Sequence, residues 1–206
     1  MISRLSISES RALPKVLTYS DIRSYVFTAA FVSLNVAIPR LFHQFHLAGP
    51  TFLPMHIFAL LAGLLFGYRA GLAVGLITPF ASYYISGMPS LTVLPQIVVE
   101  ITCYGLIAGI LREKLRLNVI WSLAGAMMAG RLTLLLTISI LSNFGVVYSP
   151  LGVEVSPFAA AWSVVKQGWP GILIQITFIP LIVILTEKLL VKKKYGGQEN
   201  RYTNIP

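Results

Sequence analysis

Residues 94–140 read LPQIVVEITCYGLIAGILREKLRLNVIWSLAGAMMAGRLTLLLTISI. Two apolar runs, about Leu94 to Leu111 and about Val119 to Phe144, flank a short connection that holds Arg112, Lys114 and Arg116. A helix needs about 20 predominantly apolar residues to cross a bilayer, and cationic connections collect on the cytoplasmic side. The stretch therefore reads as two antiparallel membrane helices joined by a cytoplasmic turn.

Working outward, four more apolar segments appear: about Ser24 to Phe45, Phe52 to Phe66, Ala70 to Ile85 and Trp162 to Leu190. The second of the six segments is short for a full span. Breaks fall where Gly and Pro cluster, at Ala48-Gly49-Pro50, Gly67-Tyr68-Arg69, Ser86-Gly87-Met88-Pro89 and from Gly145 to Pro157. Ser20-Asp21 reads as a cap before the first helix. Over the whole chain of 206 residues, 56% are hydrophobic and 11% charged, against about one quarter charged in an ordinary soluble domain. A soluble enzyme, a DNA-binding domain and a disordered chain are all excluded. The expected fold is all-α, a polytopic membrane bundle of six transmembrane helices. Residues 1–23 are expected as a cytoplasmic N-terminal segment, 24–190 as the transmembrane domain and 191–206 as a basic cytoplasmic tail.

The net charge of +9 is a statement about topology rather than nucleic-acid binding. With a cytoplasmic N-terminus, six spans put Arg4, Arg11, Lys15, Arg23, Arg69, Arg112, Lys114, Arg116, Lys188, Lys192, Lys193, Lys194 and Arg201 on the inner face. Arg40 and Lys166 are left for the outer side, and Arg131 falls within a span. No long hydrophilic stretch is available for a nucleotide-binding module, so any ATPase is expected on another chain.

Glu100 and Arg131 are the strongest chemical signals, since an ionisable side chain inside a span costs several kcal/mol unless it is paired or faces water. They either pair and hold the bundle together, or face a cavity where Arg131 takes a carboxylate bidentately and Glu100 accepts from an N–H group. Asn35, Gln96, Gln175 and Tyr104 are placed to add neutral hydrogen bonds. Trp162, Trp169, Tyr83 and Tyr84 lie near outer ends, as interfacial belt residues or as walls that stack on a ring. His56 starts a span on the outer side and is a candidate ligand contact. His43, His46 and His56 lack local Cys, Asp or Glu to complete a coordination shell, so no metal site and no cofactor are expected. HExxH, GxSxG and Walker A patterns are absent from the sequence, which argues against an enzyme. The apolar stretch from Gly145 to Pro157 has the composition of a lid.

Two stripes of small residues recur at a spacing of four, which places them on one helix face: Ala29, Ser33 and Ala37, and Gly63, Gly67, Gly71 and Gly75. The glycine stripe predicts close packing between the second and third spans. The Ala-x-x-x-Ser-x-x-x-Ala face serves either packing within the chain or docking to another helix.

In order along the chain, that face, LPMHIFALLAGLLFGYRAGLAVGLITPF (53–80), ISGMPSL (85–91), VVEITCYGLIAGIL (98–111), MAGRLTLLL (128–136) and GWPGILIQITFIPLIVILTEKLL (168–190) resemble the substrate-binding S components of energy-coupling factor (ECF) vitamin transporters. The resemblance runs from about Val26 to Leu190. It implies a subunit in a prokaryotic plasma membrane that captures a vitamin or related small molecule outside. Delivery inward then needs a transmembrane coupling subunit and two ABC ATPases, and the subunit topples in the membrane to release its cargo. It also implies that Ala29, Ser33 and Ala37 dock against the coupling subunit, with Ser33 standing where the family motif has Ala. Gly87-Met88-Pro89 before Glu100, with Arg131 in the next span, is most similar to the niacin-type branch, in which a pyridine carboxylate would meet Arg131 near His56 and Tyr104. Met55-His56-Ile57 is internal, so the N-terminal metal chemistry of cobalt and nickel S components does not carry over. The alternative reading is a solitary carrier or channel that works without ATPases.

Overall fold

A computed structural model describes the backbone of residues 22–44, 49–144 and 156–202, and the side chains of 25–41, 51–144 and 156–188. The expected cap at Ser20-Asp21, His46 and most of the expected lid lie outside the described residues. Those described form seven helices: α1 (Ile22–Gln44), α2 (Gly49–Phe52), α3 (Pro54–Phe66), α4 (Tyr68–Ser86), α5 (Leu94–Glu113), α6 (Val119–Asn143) and α7 (Pro157–Tyr202). The one-turn α2 aside, they match the six apolar segments.

Local chemistry explains the boundaries. The Asn118 side chain accepts a hydrogen bond from the Trp121 amide at 2.9 Å and caps α6. Proline stands in the first turn of α3 and α5, where its missing N–H removes nothing. Gly87, in the left-handed conformation, closes α4. At the far end α7 runs on to Tyr202, so the basic segment from 191 continues the last helix.

Among the described residues, α5, α6 and Pro157–Lys188 of α7 are long and apolar enough to cross a membrane, and α1 and α3 contain shorter apolar stretches. At a rise of 1.5 Å per residue, α3 with its 13 residues is about 20 Å long, against a hydrocarbon core of about 30 Å. It is therefore too short to cross that core by itself. On α6, Met128, Leu132, Leu136 and Ile140 recur every fourth residue on the outside, while Met127, Leu134 and Ile138 face in. An outer face made of large apolar side chains is what lipid solvates, and the backbone polar groups are satisfied within the helices.

At the centre, α5 packs against α3, α4 and α6. A Cβ on Gly63 or Gly71 would strike the Gly105 carbonyl of α5, and one on Gly109 would strike the Tyr68 backbone. Three helices thus meet backbone to backbone, the close approach that small residues permit in a membrane. The glycine stripe does bring α3 and α4 together, since Gly71 also sits on Gly63; its larger partner is α5, through Gly105 and Gly109. On the other side, Gly168 and Gly171 of α7 lie against Leu53 and the carbonyl of Phe52, which fixes the corner ahead of α3.

The two ends of the bundle differ in charge. At one, Arg112 pairs with Glu187 at 2.5 Å, Glu113 accepts from the Tyr68 amide at 3.3 Å, and Lys114 and Arg69 lie over the Tyr68 ring. At the other, Arg40 Nη1 donates to the Ile85 carbonyl at 3.2 Å.

Candidate functional site

Gln96, Glu100 and Tyr104 follow one another at four-residue intervals on α5 and so share a face; all three are buried. Glu100 Oε1 accepts from Arg131 Nη1 of α6 at 2.7 Å, and His56 Nε2 of α3 stands 3.7 Å from the same oxygen. Tyr104 meets His56 edge to face, with ring centroids 5.0 Å apart, and the Arg131 guanidinium lies 6.0 Å from the Tyr104 centroid. This arrangement needs Gly130: a Cβ there would come within 2.7 Å of the Tyr104 ring. Three helices thus contribute one acid, one base, one imidazole and one phenol to a single cluster.

Glu100 and His56 of this cluster, with Gln96, form the floor of a cavity of about 1000 Å³, the upper size for a small-molecule site. His56, Gln96, Glu100 and Ile101 line its buried part. Arg40, Met88 and Ser90 line its exposed part, and Val164 and Gln167 of α7 contribute one wall. The cavity belongs to the end of the bundle opposite the Arg112–Glu187 pair, and the shortness of α3 leaves the space for it. His56 Nδ1 and Nε2, Gln96 Oε1, and Arg131 Nε and Nη2 have no hydrogen-bond partner although buried. A buried polar atom left unpaired costs about 1–3 kcal/mol, so several in one place mark a site built for a polar ligand.

The remaining sequence candidates fall elsewhere. Asn35 donates to Thr78 at 3.2 Å and ties α1 to α4. Gln175 donates to the Leu53 carbonyl at 3.3 Å and holds α7 to the corner before α3. Neither lines the cavity. Arg131 and Tyr104 stand behind it, reaching it through Glu100 and His56. Trp169 is exposed on α7, as are Trp162 and Tyr84, and none of them lines the cavity. Arg40, assigned from the sequence to the outer side but to no ligand, stands on α1 and lines the mouth. The signal was available: it follows Pro39 directly, at the outer end of the first apolar run. Among the described residues no group of three His, Cys, Asp or Glu is placed to hold a metal.

The outer face of α1 completes the picture. Phe31, Val32, Asn35, Val36 and Pro39 turn toward the bundle, while Ala29, Ser33 and Ala37 are exposed. The small-residue face is therefore not used for packing within the described bundle. Residues 25–183, from the start of α1 to within α7, match the family described as ECF transporter, substrate-specific component. The chain belongs to that family. No curated protein and no solved structure matches the chain. A substrate-specific component is a transport subunit of a membrane complex, and membership implies work with a coupling subunit and ATPases.

Proposed function

We propose that this substrate-specific component captures a vitamin-like small molecule in the cavity between α1, α3, α4, α5 and α7, on the outer side of a prokaryotic plasma membrane. Both chain termini then face the cytoplasm. The observation that carries the proposal is the cavity floor, where His56 and Gln96 stand beside Glu100 with hydrogen-bonding atoms unsatisfied. Glu100 and His56 contact the ligand, and Arg131 and Tyr104 hold them in place. A niacin-like pyridine carboxylate is the first compound to test. The cavity volume also admits larger vitamins.

Transport follows when Ala29, Ser33 and Ala37 dock on the coupling subunit, whose two ATPases supply the energy. Their exposure on the face of α1 turned away from the bundle supports this role, because a partner helix approaches most closely over small side chains. The test is co-expression with a coupling subunit and its ATPases, followed by affinity purification in mild detergent and native mass spectrometry. The native chain is expected to co-purify with all three partners. Ala37→Trp is expected to lose them while keeping its bound small molecule. A native chain that takes up its ligand in cells lacking the ATPases would instead establish a solitary carrier.

A further inference from the structure

Resting on that reading, the charges lining the cavity deepen it to a substrate class. Three ionisable side chains line the cavity: Glu100, His56 and Arg40. Glu100 is matched by Arg131 at 2.7 Å, so its charge is already answered within the protein. Arg40 at the mouth has no carboxylate beside it among the described residues; its recorded hydrogen bond is one Nη1–H to the Ile85 carbonyl, a neutral acceptor. A guanidinium carries five N–H donors in a planar fork that fits a carboxylate bidentately. Among the described residues the cavity thus has a cation with no carboxylate beside it at its exposed end and two hydrogen-bonding side chains, His56 and Gln96, at its buried end.

We infer that the cavity selects a carboxylate-bearing ligand, bound with its carboxylate at Arg40 and its polar head against His56 and Gln96. Arg40, rather than Arg131, reads the charge. A cationic ligand is disfavoured at the mouth by Arg40, and a neutral one forgoes the charge-assisted pair, which is about twice as strong as a neutral hydrogen bond. The competing explanation is that Arg40 only caps the last turn of α4 through Ile85, as cations do at helix C-termini.

The experiment uses the full chain, purified in mild detergent from cells fed equal amounts of nicotinate, biotin and pantothenate (carboxylates), nicotinamide and riboflavin (neutral) and thiamine (cationic). Native mass spectrometry identifies any retained compound for the native chain and for Arg40→Gln and Arg40→Lys. The expected result is a retained carboxylate, with loading reduced at least tenfold in Arg40→Gln and partly restored in Arg40→Lys. A retained neutral or cationic compound, or equal loading in a folded Arg40→Gln, would overturn the inference and leave the capture reading intact. If Arg40→Gln fails to fold, the identity of the compound on the native chain still decides. A native chain that retains none of the six overturns high-affinity capture itself.

Discussion

Glu100 and Arg131 lie in apolar helices, and neither charge is tenable there alone. Joined at 2.7 Å, each answers the other's desolvation, and Tyr104 and Gly130 shape the space they share. Removing one partner of a buried pair costs about 3–5 kcal/mol, because the survivor is left uncompensated, whereas replacing both by neutral groups is often tolerated. Arg131→Met is therefore expected to destabilise the protein by about that amount, and Glu100→Gln/Arg131→Met to recover most of the loss, as thermal unfolding in detergent would show. Ligand loading separates the two roles. Glu100 lines the cavity and Arg131 does not, so the double variant should regain stability without regaining its ligand. Recovery of both would make the pair purely structural.

Helices α3, α4 and α5 share buried side chains such as Ala62, Val74 and Ile101, but along the glycine seam their backbones touch, which leaves no slack. At Gly105 an added Cβ meets the backbone of Gly71, which cannot rotate away; at Gly87 it meets nothing within 4 Å. Gly105→Val is expected to lower stability by about 1–3 kcal/mol or more, the usual range for overpacking. Gly87→Asn, which keeps a residue that tolerates the left-handed conformation, should change it by a few tenths of a kcal/mol at most. Equal effects on thermal unfolding would show that the seam is not the tight contact described. Helices of this kind are legible in a sequence because their length and hydrophobicity are local properties, and Glu100 and Arg131 stand out against an apolar background for the same reason. Facing is not local. The Gly63–Gly75 stripe announces a close approach but not its partner, although Gly105 and Gly109, also four apart, carry the matching signal. Asn35 and Gln175 read as ligand contacts because a polar residue in a span needs some partner, and the sequence does not say that Thr78 and the Leu53 carbonyl provide it. Trp169 lies in the strongly apolar stretch Pro157–Lys188 of α7, where its outward direction has little pattern to betray it.

Among the described residues, most of the basic side chains lie at the end of the bundle opposite the cavity. Arg69, Arg112, Lys114, Arg116 and Lys188 gather around the α3–α4 and α5–α6 turns and the Glu187 region of α7, while the cavity opens between the C-terminal ends of α1 and α4 and the N-terminal ends of α3, α5 and α7. Short cationic loops stay in the cytoplasm, so this asymmetry predicts a cavity open to the outside, as capture requires. The orientation can be read directly by replacing Cys103 with Ala and placing single cysteines at two exposed positions, Ser90→Cys at the mouth and Leu115→Cys at the basic end. A membrane-impermeant maleimide applied to intact cells is expected to label Ser90→Cys and to reach Leu115→Cys only after permeabilisation. The reverse pattern would place the cavity on the cytoplasmic side. A subunit so oriented could not collect its ligand from outside, and the exposed small-residue face on α1 would then need another explanation than import.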